Sequence, residues 1–270
     1  MTGRFLRASG LHADIEPDER VRGAYVLSIG GAEQSHVDLR DPTHVFYEYL
    51  RRIANVVDLA GPAGQPLRCL HLGAGALTLA RYVQATRPGS AQHAVELERE
   101  LLDFVVDRLP LPEGTDLTVH IGDARQEVAF GHLPGAFDVI VLDVFAGEDA
   151  PGHLTTPDFY GELLEILAPE GVLLVNVGDD PPLHFARRQV RALAEALAAE
   201  GPGDNTGLAA LADAGMFSGR FPGNIVLAAR HRRWPQDWTE ALLAAGPHPA
   251  AVLAGPELEA FSRRQGGAAH

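Results

Sequence analysis

From residue 61 onward the sequence alternates short apolar runs with segments of helical periodicity, and that alternation leaves the chain few architectures. RCLHL, QHAVEL, LTVHI, FDVIVLD and GVLLVNV read as strands. ALTLARYVQAT, ERELLDFVVDRL, TPDFYGELLEIL and HFARRQVRALAEALAAE read as the helices that separate or follow them. Strands that are apolar throughout need cover on both faces, so the pattern predicts an α/β fold with a doubly wound, Rossmann-like, mostly parallel sheet of about seven strands. Two later runs, GLAALADA and NIVLAAR, are joined by the hairpin-length connector GMFSGRFPG and predict an antiparallel pair closing one sheet edge.

The first sixty residues behave differently. Ala24 to Ile29 reads as a short strand and Val45 to Val57 as a helix, while the intervening GGAEQSHVDLRDPTH is polar and turn-rich. GPAGQP, residues 61 to 66, punctuates the chain before its first strong strand. The expected organisation is a small β-containing N-terminal extension over residues 1–60, a Rossmann-like domain over 61–233, and a tail over 234–270, rich in alanine, glycine and proline, that carries no site.

Composition removes several function classes. The formal net charge is -14, which opposes a phosphate backbone as partner, so no nucleic-acid partner is expected. All 22 basic residues are arginine, from which no function follows. No apolar run reaches the roughly eighteen residues of a membrane span, and the N-terminus breaks into charge and proline before a signal-peptide core can form. These features predict a cytoplasmic protein with no membrane partner. The single cysteine, Cys69, lies inside an apolar run and excludes a disulfide framework or a multi-cysteine zinc site. None of the twelve histidines forms HExxH or another close ligand pair, so no metal is expected.

The chemistry concentrates at strand ends. Gly73 and Gly75 stand where the strand RCLHL passes into a helix, the place where backbone approaches a ligand closely and helix N–H groups point outward. Thr78 occupies the place of the third glycine in GxGxxG, which disfavours a pyrophosphate ligand. Glu96 closes the second strand, where an acidic side chain in such folds accepts hydrogen bonds from ribose hydroxyls, and Asp123 ends the third, where a carboxylate can accept an adenine amino group. Each could equally be a helix cap or a solvated turn, but together they favour an adenosyl ligand. Asp143 ends the fourth strand, and its carboxylate is placed to position or deprotonate an attacking group, a contribution of roughly 10² to 10⁴ in rate. Glu148, Asp149, Asp179 and Asp180 follow in loops that could equally be solvated acidic turns.

Taken together these residues resemble the spermidine synthase family, over about Tyr25 to Arg230. YVLSIGGAEQ supplies Gln34 and VFYEYL supplies Tyr47; LHLGAGALTLARY lies on the family's glycine-rich turn; VELERELL carries Glu96; VHIGDA carries Asp123 and Ala124; FDVIVLD carries Asp143; and LTTPDFY is similar to the segment closing the gatekeeper loop. The resemblance implies a class I S-adenosylmethionine-dependent methyltransferase-like fold and aminopropyl transfer from decarboxylated S-adenosylmethionine to a small-molecule amine. It implies Asp143 and Tyr47 as catalytic residues, with Gln34, Gly73, Gly75, Glu96, Asp123 and Ala124 binding the adenosyl ligand. A homo-oligomer, dimer or tetramer, is implied on the same ground.

Two positions depart from the family pattern. Ala76 stands where the glycine turn carries an aspartate for the amino end of the decarboxylated ligand, and Ala146 where the gatekeeper loop supplies a second aspartate. Glu148, Asp149, Asp179 and Asp180 are the neighbouring carboxylates that could take their place. The departures mark a divergent branch and keep two alternatives open. One is a small-molecule methyltransferase using full S-adenosylmethionine, whose carboxylate needs a basic or amide partner; Arg81, on the helix after the glycine turn, could supply it, but an arginine there is more often a solvated helix residue. The other is a non-catalytic protein that retains the fold. A NAD-dependent dehydrogenase ranks last, because of Thr78 and the closing antiparallel pair.

Overall fold

The computed structural model describes residues 3–144, 150–199 and 207–264. The chain adopts a mixed α/β fold with a mostly parallel sheet, closing antiparallel strands and a separate antiparallel sheet at its N-terminal end. It falls into two compact units, residues 1–133 and 134–270.

The first unit opens with an antiparallel meander of β1 (Gly3–Phe5), β2 (His12–Pro17), β3 (Ala24–Ile29) and β4 (Ala32–Asp38). β3 is the strand expected from the sequence, and β4 occupies the stretch expected to be turn. Gly30 and Gly31, at φ of 58° and 81°, form the two-residue connection that turns β3 into β4. Positive φ at both central residues matches the strand twist, and glycine adopts it without strain. The polar letters of β4 hid it, because beside Val37 its buried side chains, Ser35, His36 and Asp38, are hydrogen-bonded polar groups. Ser35 accepts from the Ala76 N–H, His36 Nε2 meets Asp18 at 3.0 Å, and Asp38 accepts the N–H groups of Arg40 and Asp41.

Helix α1 (Glu48–Leu59) follows, and then three strand–helix steps: β5 (Arg68–Leu72), α2 (Thr78–Thr86), β6 (Ala91–Glu96), α3 (Arg99–Arg108), β7 (Asp116–Ile121) and α4 (Ala124–Ala129). The strands pair in parallel as β5–β6–β7. The punctuation at 61–66 is shaped by Arg87, 2% exposed, whose guanidinium donates to the carbonyls of Val57, Asp58, Gly61, Pro62 and Gln65. One core joins Leu6, Ile15, Leu27 and Val37 of the meander region to Leu101, Phe104 and Val105 of α3. Glu98 adds a polar tie, its carboxylate accepting the N–H groups of Ala8 and Ser9.

The second unit begins with β8 (Phe137–Leu142), then α5 (Pro157–Glu165), β9 (Leu167–Asp179), α6 (His184–Ala199), β10 (Leu208–Asp213), α7 (Ala214–Phe217), β11 (Gly223–Ala229), α8 (Gln236–Ala245), β12 (Ala250–Ala254) and α9 (Gly255–Arg263). Thr156 caps α5 through the Phe159 N–H, and Pro157 fixes its first turn. β8 and β9 are parallel; β11 then inserts antiparallel to β9, and β10 pairs antiparallel with β11. The closing pair expected from GLAALADA and NIVLAAR is therefore present, with α7 folded into its connector. β12, from the segment 234–270, adds a further antiparallel strand beside β10.

Candidate functional site

In the first unit the chain leaves β5 into the glycine turn. Gly73 and Gly75 take φ of 92° and 49°, and the turn's N–H groups are tied to neighbouring elements on both sides. The Ala74 N–H donates to Glu96 Oε2 at 3.0 Å, and the Ala76 N–H donates to Ser35 Oγ at 3.1 Å. A Cβ at Gly75 would lie 2.8 Å from that same Oγ, so the close approach requires glycine. Thr78 begins α2 and donates to the His36 carbonyl, which ties β4 to the helix start.

Glu96 ends β6. Its Oε1 accepts the Glu98 N–H at 2.9 Å while Oε2 accepts the Ala74 N–H, so the carboxylate shapes the turn. Burial pushes its pKa up, and the backbone N–H groups of Glu98, Ala74 and Leu97 oppose that shift. Leu97 follows immediately and is 59% exposed, an apolar surface next to the carboxylate. Asp123 Oδ1 accepts the N–H groups of Arg125 and Gln126, both at 3.1 Å, making it the N-cap of α4. Ala124 is buried directly behind it.

Gln34 is exposed on β4, beside Ser35. Tyr47 precedes the first residue of α1 and is half-buried, its hydroxyl 3.2 Å from Glu33 Oε2 and its ring near parallel to Tyr49. Burial first, and then the Glu33 carboxylate, push its pKa up to about 12, so the phenol stays protonated and donates.

In the second unit Asp143 stands one residue beyond β8. Its Oδ1 accepts from Asn176 Nδ2 at 2.8 Å, and Asn176 Oδ1 accepts from Asn224 Nδ2 at 3.1 Å. Among the described residues, no group of three or more histidine, cysteine or carboxylate side chains is placed to hold a metal ion.

No protein-family model matches the chain. Over 144 residues it is 29% identical to the polyamine aminopropyltransferase of Vibrio vulnificus, an alignment that covers 52% of this chain and 46% of that one. The chain thus spans about half the length of the curated relatives it matches. A crystal structure of a probable spermidine synthase from Corynebacterium glutamicum is 28% identical, with a TM-score of 0.82, and the match covers 97% of this chain and 92% of that one. The chain is spermidine synthase-like. A spermidine synthase crystallised with the transition-state analogue AdoDATO shares its fold at 15% identity and a TM-score of 0.55, over 84% of this chain and 71% of that one.

Against that family pattern the spermidine synthase-like chain places a buried methyl group at Ala76, 1% exposed. Ala146, Glu148 and Asp149 lie outside the described residues. Asp179 is committed elsewhere: its two oxygens accept the N–H groups of Asp180 and Ala186, the latter in the first turn of α6. Asp180 is exposed.

Arg81 is neither a solvated helix residue nor a group available to a ligand carboxylate. It is 2% exposed, and its guanidinium donates to the carbonyls of Ala76, Leu109 and Pro110. Burial lowers its pKa to about 10, so it remains a cation at neutral pH. Asn176 was missed by reading the sequence, although it left a signal, being the one polar residue within the apolar run Val172 to Val177.

Proposed function

We propose that this chain is an aminopropyltransferase that takes decarboxylated S-adenosylmethionine as donor and a small amine as acceptor. The observation carrying this reading is the Asp143 carboxylate, held at the end of a parallel strand by an amide donor, in a chain similar along nearly its whole length to a probable spermidine synthase. On this reading Glu96 accepts the ribose hydroxyls, Leu97 offers its exposed side chain to the adenine face, and the Asp123 and Ala124 segment borders the base. The positive-φ turn at Gly73 and Gly75 lets backbone approach the ligand.

The acceptor nitrogen attacks the carbon next to the sulfonium; the new C–N bond forms as the C–S bond breaks, and methylthioadenosine leaves with the sulfur electron pair. Asp143 accepts the proton that the amine loses, and holding the amine in line with the sulfur removes several kcal/mol of the barrier. Gln34 and Tyr47 serve the ligand from the N-terminal sheet and the start of α1, Tyr47 as a neutral hydrogen-bond donor. With alanine at position 76, the aminopropyl ammonium draws its counter-charge from other residues.

The test is calorimetric titration with S-adenosylmethionine, its decarboxylated form, S-adenosylhomocysteine and methylthioadenosine. Preference for the decarboxylated form and methylthioadenosine supports aminopropyl transfer. Preference for the other two ligands makes the chain a methyltransferase, and binding to none of the four leaves it a non-catalytic holder of the fold. Asp143→Asn is then expected to lower turnover by about 10² or more while adenosyl-ligand affinity stays within a few-fold of the parent. Loss of both together contradicts a specifically catalytic role.

A further inference from the structure

We infer that Asn176 and Asn224 form a directional amide relay that fixes the orientation of Asp143, making them positioning residues for the reaction. This rests on the reading of Asp143 as the proton acceptor. Asn176 occupies the strand that borders both of the others. Leu142 is level with Val175 in the parallel β8–β9 pair, so Asp143 comes alongside Asn176 at the next step. On the other side Val226 is level with Asn176, and Asn224, two residues away, is its diagonal neighbour on the same face.

The direction of the relay follows from chemistry. An ionised carboxylate only accepts hydrogen bonds, so Asn176 must turn its NH₂ toward Asp143, and its carbonyl then faces Asn224. Asn224 can complete the chain only by presenting its own NH₂, and the distances of 2.8 and 3.1 Å fit that sequence of donors. Asparagine is disfavoured inside strands, and here two of them interrupt stretches flanked by the buried Val175, Val177 and Ile225. A local choice that runs against strand preference on adjacent strands, with one amide on the carboxylate and the second on the first, marks a functional constraint. A donor on Oδ1 favours the charged form of Asp143 and leaves its orientation little freedom.

The discriminating variant is Asn224→Asp, nearly isosteric and one residue removed from the carboxylate. Its carboxylate cannot donate to Asn176 and, like that of Asp143, only accepts, so the two carboxylates compete for the single Asn176 NH₂ and the hold on Asp143 weakens. We expect Asn224→Asp to lower kcat at least as much as Asn176→Ala, by tenfold or more, and Asn224→Ala to lower it less. In Asn176→Ala and Asn224→Asp the acid limb of the kcat profile should move to higher pH, with KM for the adenosyl substrate within twofold, and Asn176→Gln should recover part of the loss. Unchanged pH limbs, or Asn224→Asp behaving as the parent protein, overturn the relay.

If no amine acceptor supports turnover, the aminopropyl reading fails while the relay stays testable by carbon-13 NMR titration of the Asp143 carboxyl. An upward displacement of its midpoint in Asn176→Ala, with a smaller one in the charge-neutral Asn224→Ala, supports the relay, and an unmoved midpoint in both rejects it.

Discussion

Gly75→Ala tests whether the glycine turn is shaped by the contacts seen here. Two costs combine. The residue takes φ of 49°, where an L side chain costs about 1 to 2 kcal/mol. The new Cβ would also lie 2.8 Å from Ser35 Oγ, so that oxygen has to move. Ser35 is buried and its Oγ accepts the Ala76 N–H, so moving it orphans a buried donor at about 1 to 3 kcal/mol. The sum is a loss of about 2 to 5 kcal/mol, measurable by urea unfolding. In a Ser35→Ala background the oxygen is already gone, so Gly75→Ala should cost only the backbone share. The double-mutant cycle should then show coupling of about 1 to 3 kcal/mol. A single-variant loss below about 1 kcal/mol, or additivity within about 0.5 kcal/mol, would falsify the argument that Ser35 and Gly75 are fitted to one another.

Other expectations follow from particular side chains. Glu96→Gln replaces an acceptor pair with one acceptor and one donor, so one of the Ala74 and Glu98 N–H groups meets an NH₂; adenosyl-ligand affinity by calorimetry should fall about tenfold or more. His71, fully buried against Gln92, has its pKa lowered to about 4 by desolvation. The unfolded chain therefore takes up a proton first as pH falls, so this contribution is complete above about pH 6.5 and is lost toward pH 4, on the order of 3 kcal/mol. Denaturant unfolding at a series of pH values, with His71→Phe losing that dependence, checks the sign. Arg81→Met and Arg187→Met should diverge, because Arg81 satisfies three carbonyls whereas Arg187 Nε and Nη1 have no hydrogen-bond partner among the described residues. The first should lose about 3 to 5 kcal/mol, and the second should stay within about 1 kcal/mol of the parent by the same assay.

Part of the candidate site was legible because its residues stand at transitions the pattern marks. Gly73 and Gly75 end an apolar run and precede helical spacing, and Glu96, Asp123 and Asp143 each follow a strand. What their carboxylates do was not legible, because that depends on which N–H groups come within reach. Glu96 and Asp123 turn out to organise backbone, and Asp179, a candidate replacement for a missing carboxylate, holds the start of α6. Arg81 was misread for a related reason. Helical spacing places an arginine on a face but does not reveal that three carbonyls converge on it there.

The sequence by itself determined the alternation of strands and helices, the parallel pairing it imposes and the antiparallel closure, since each follows from periodicity and connector length within a few residues. Tertiary structure alone decided that β4 is a strand, that α7 lies in the closing connector and that β12 extends the edge. In β4 polar side chains are buried because partners distant in sequence satisfy them, as Ala76 does for Ser35 across 41 positions. It also decided the line from Asn224 through Asn176 to Asp143. Those residues span 81 positions, and only the registers of β9 with β8 and with β11 bring them onto one face. Hydrophobic periodicity is a local property of the chain, whereas hydrogen-bond satisfaction of a buried polar group is a property of the folded neighbourhood.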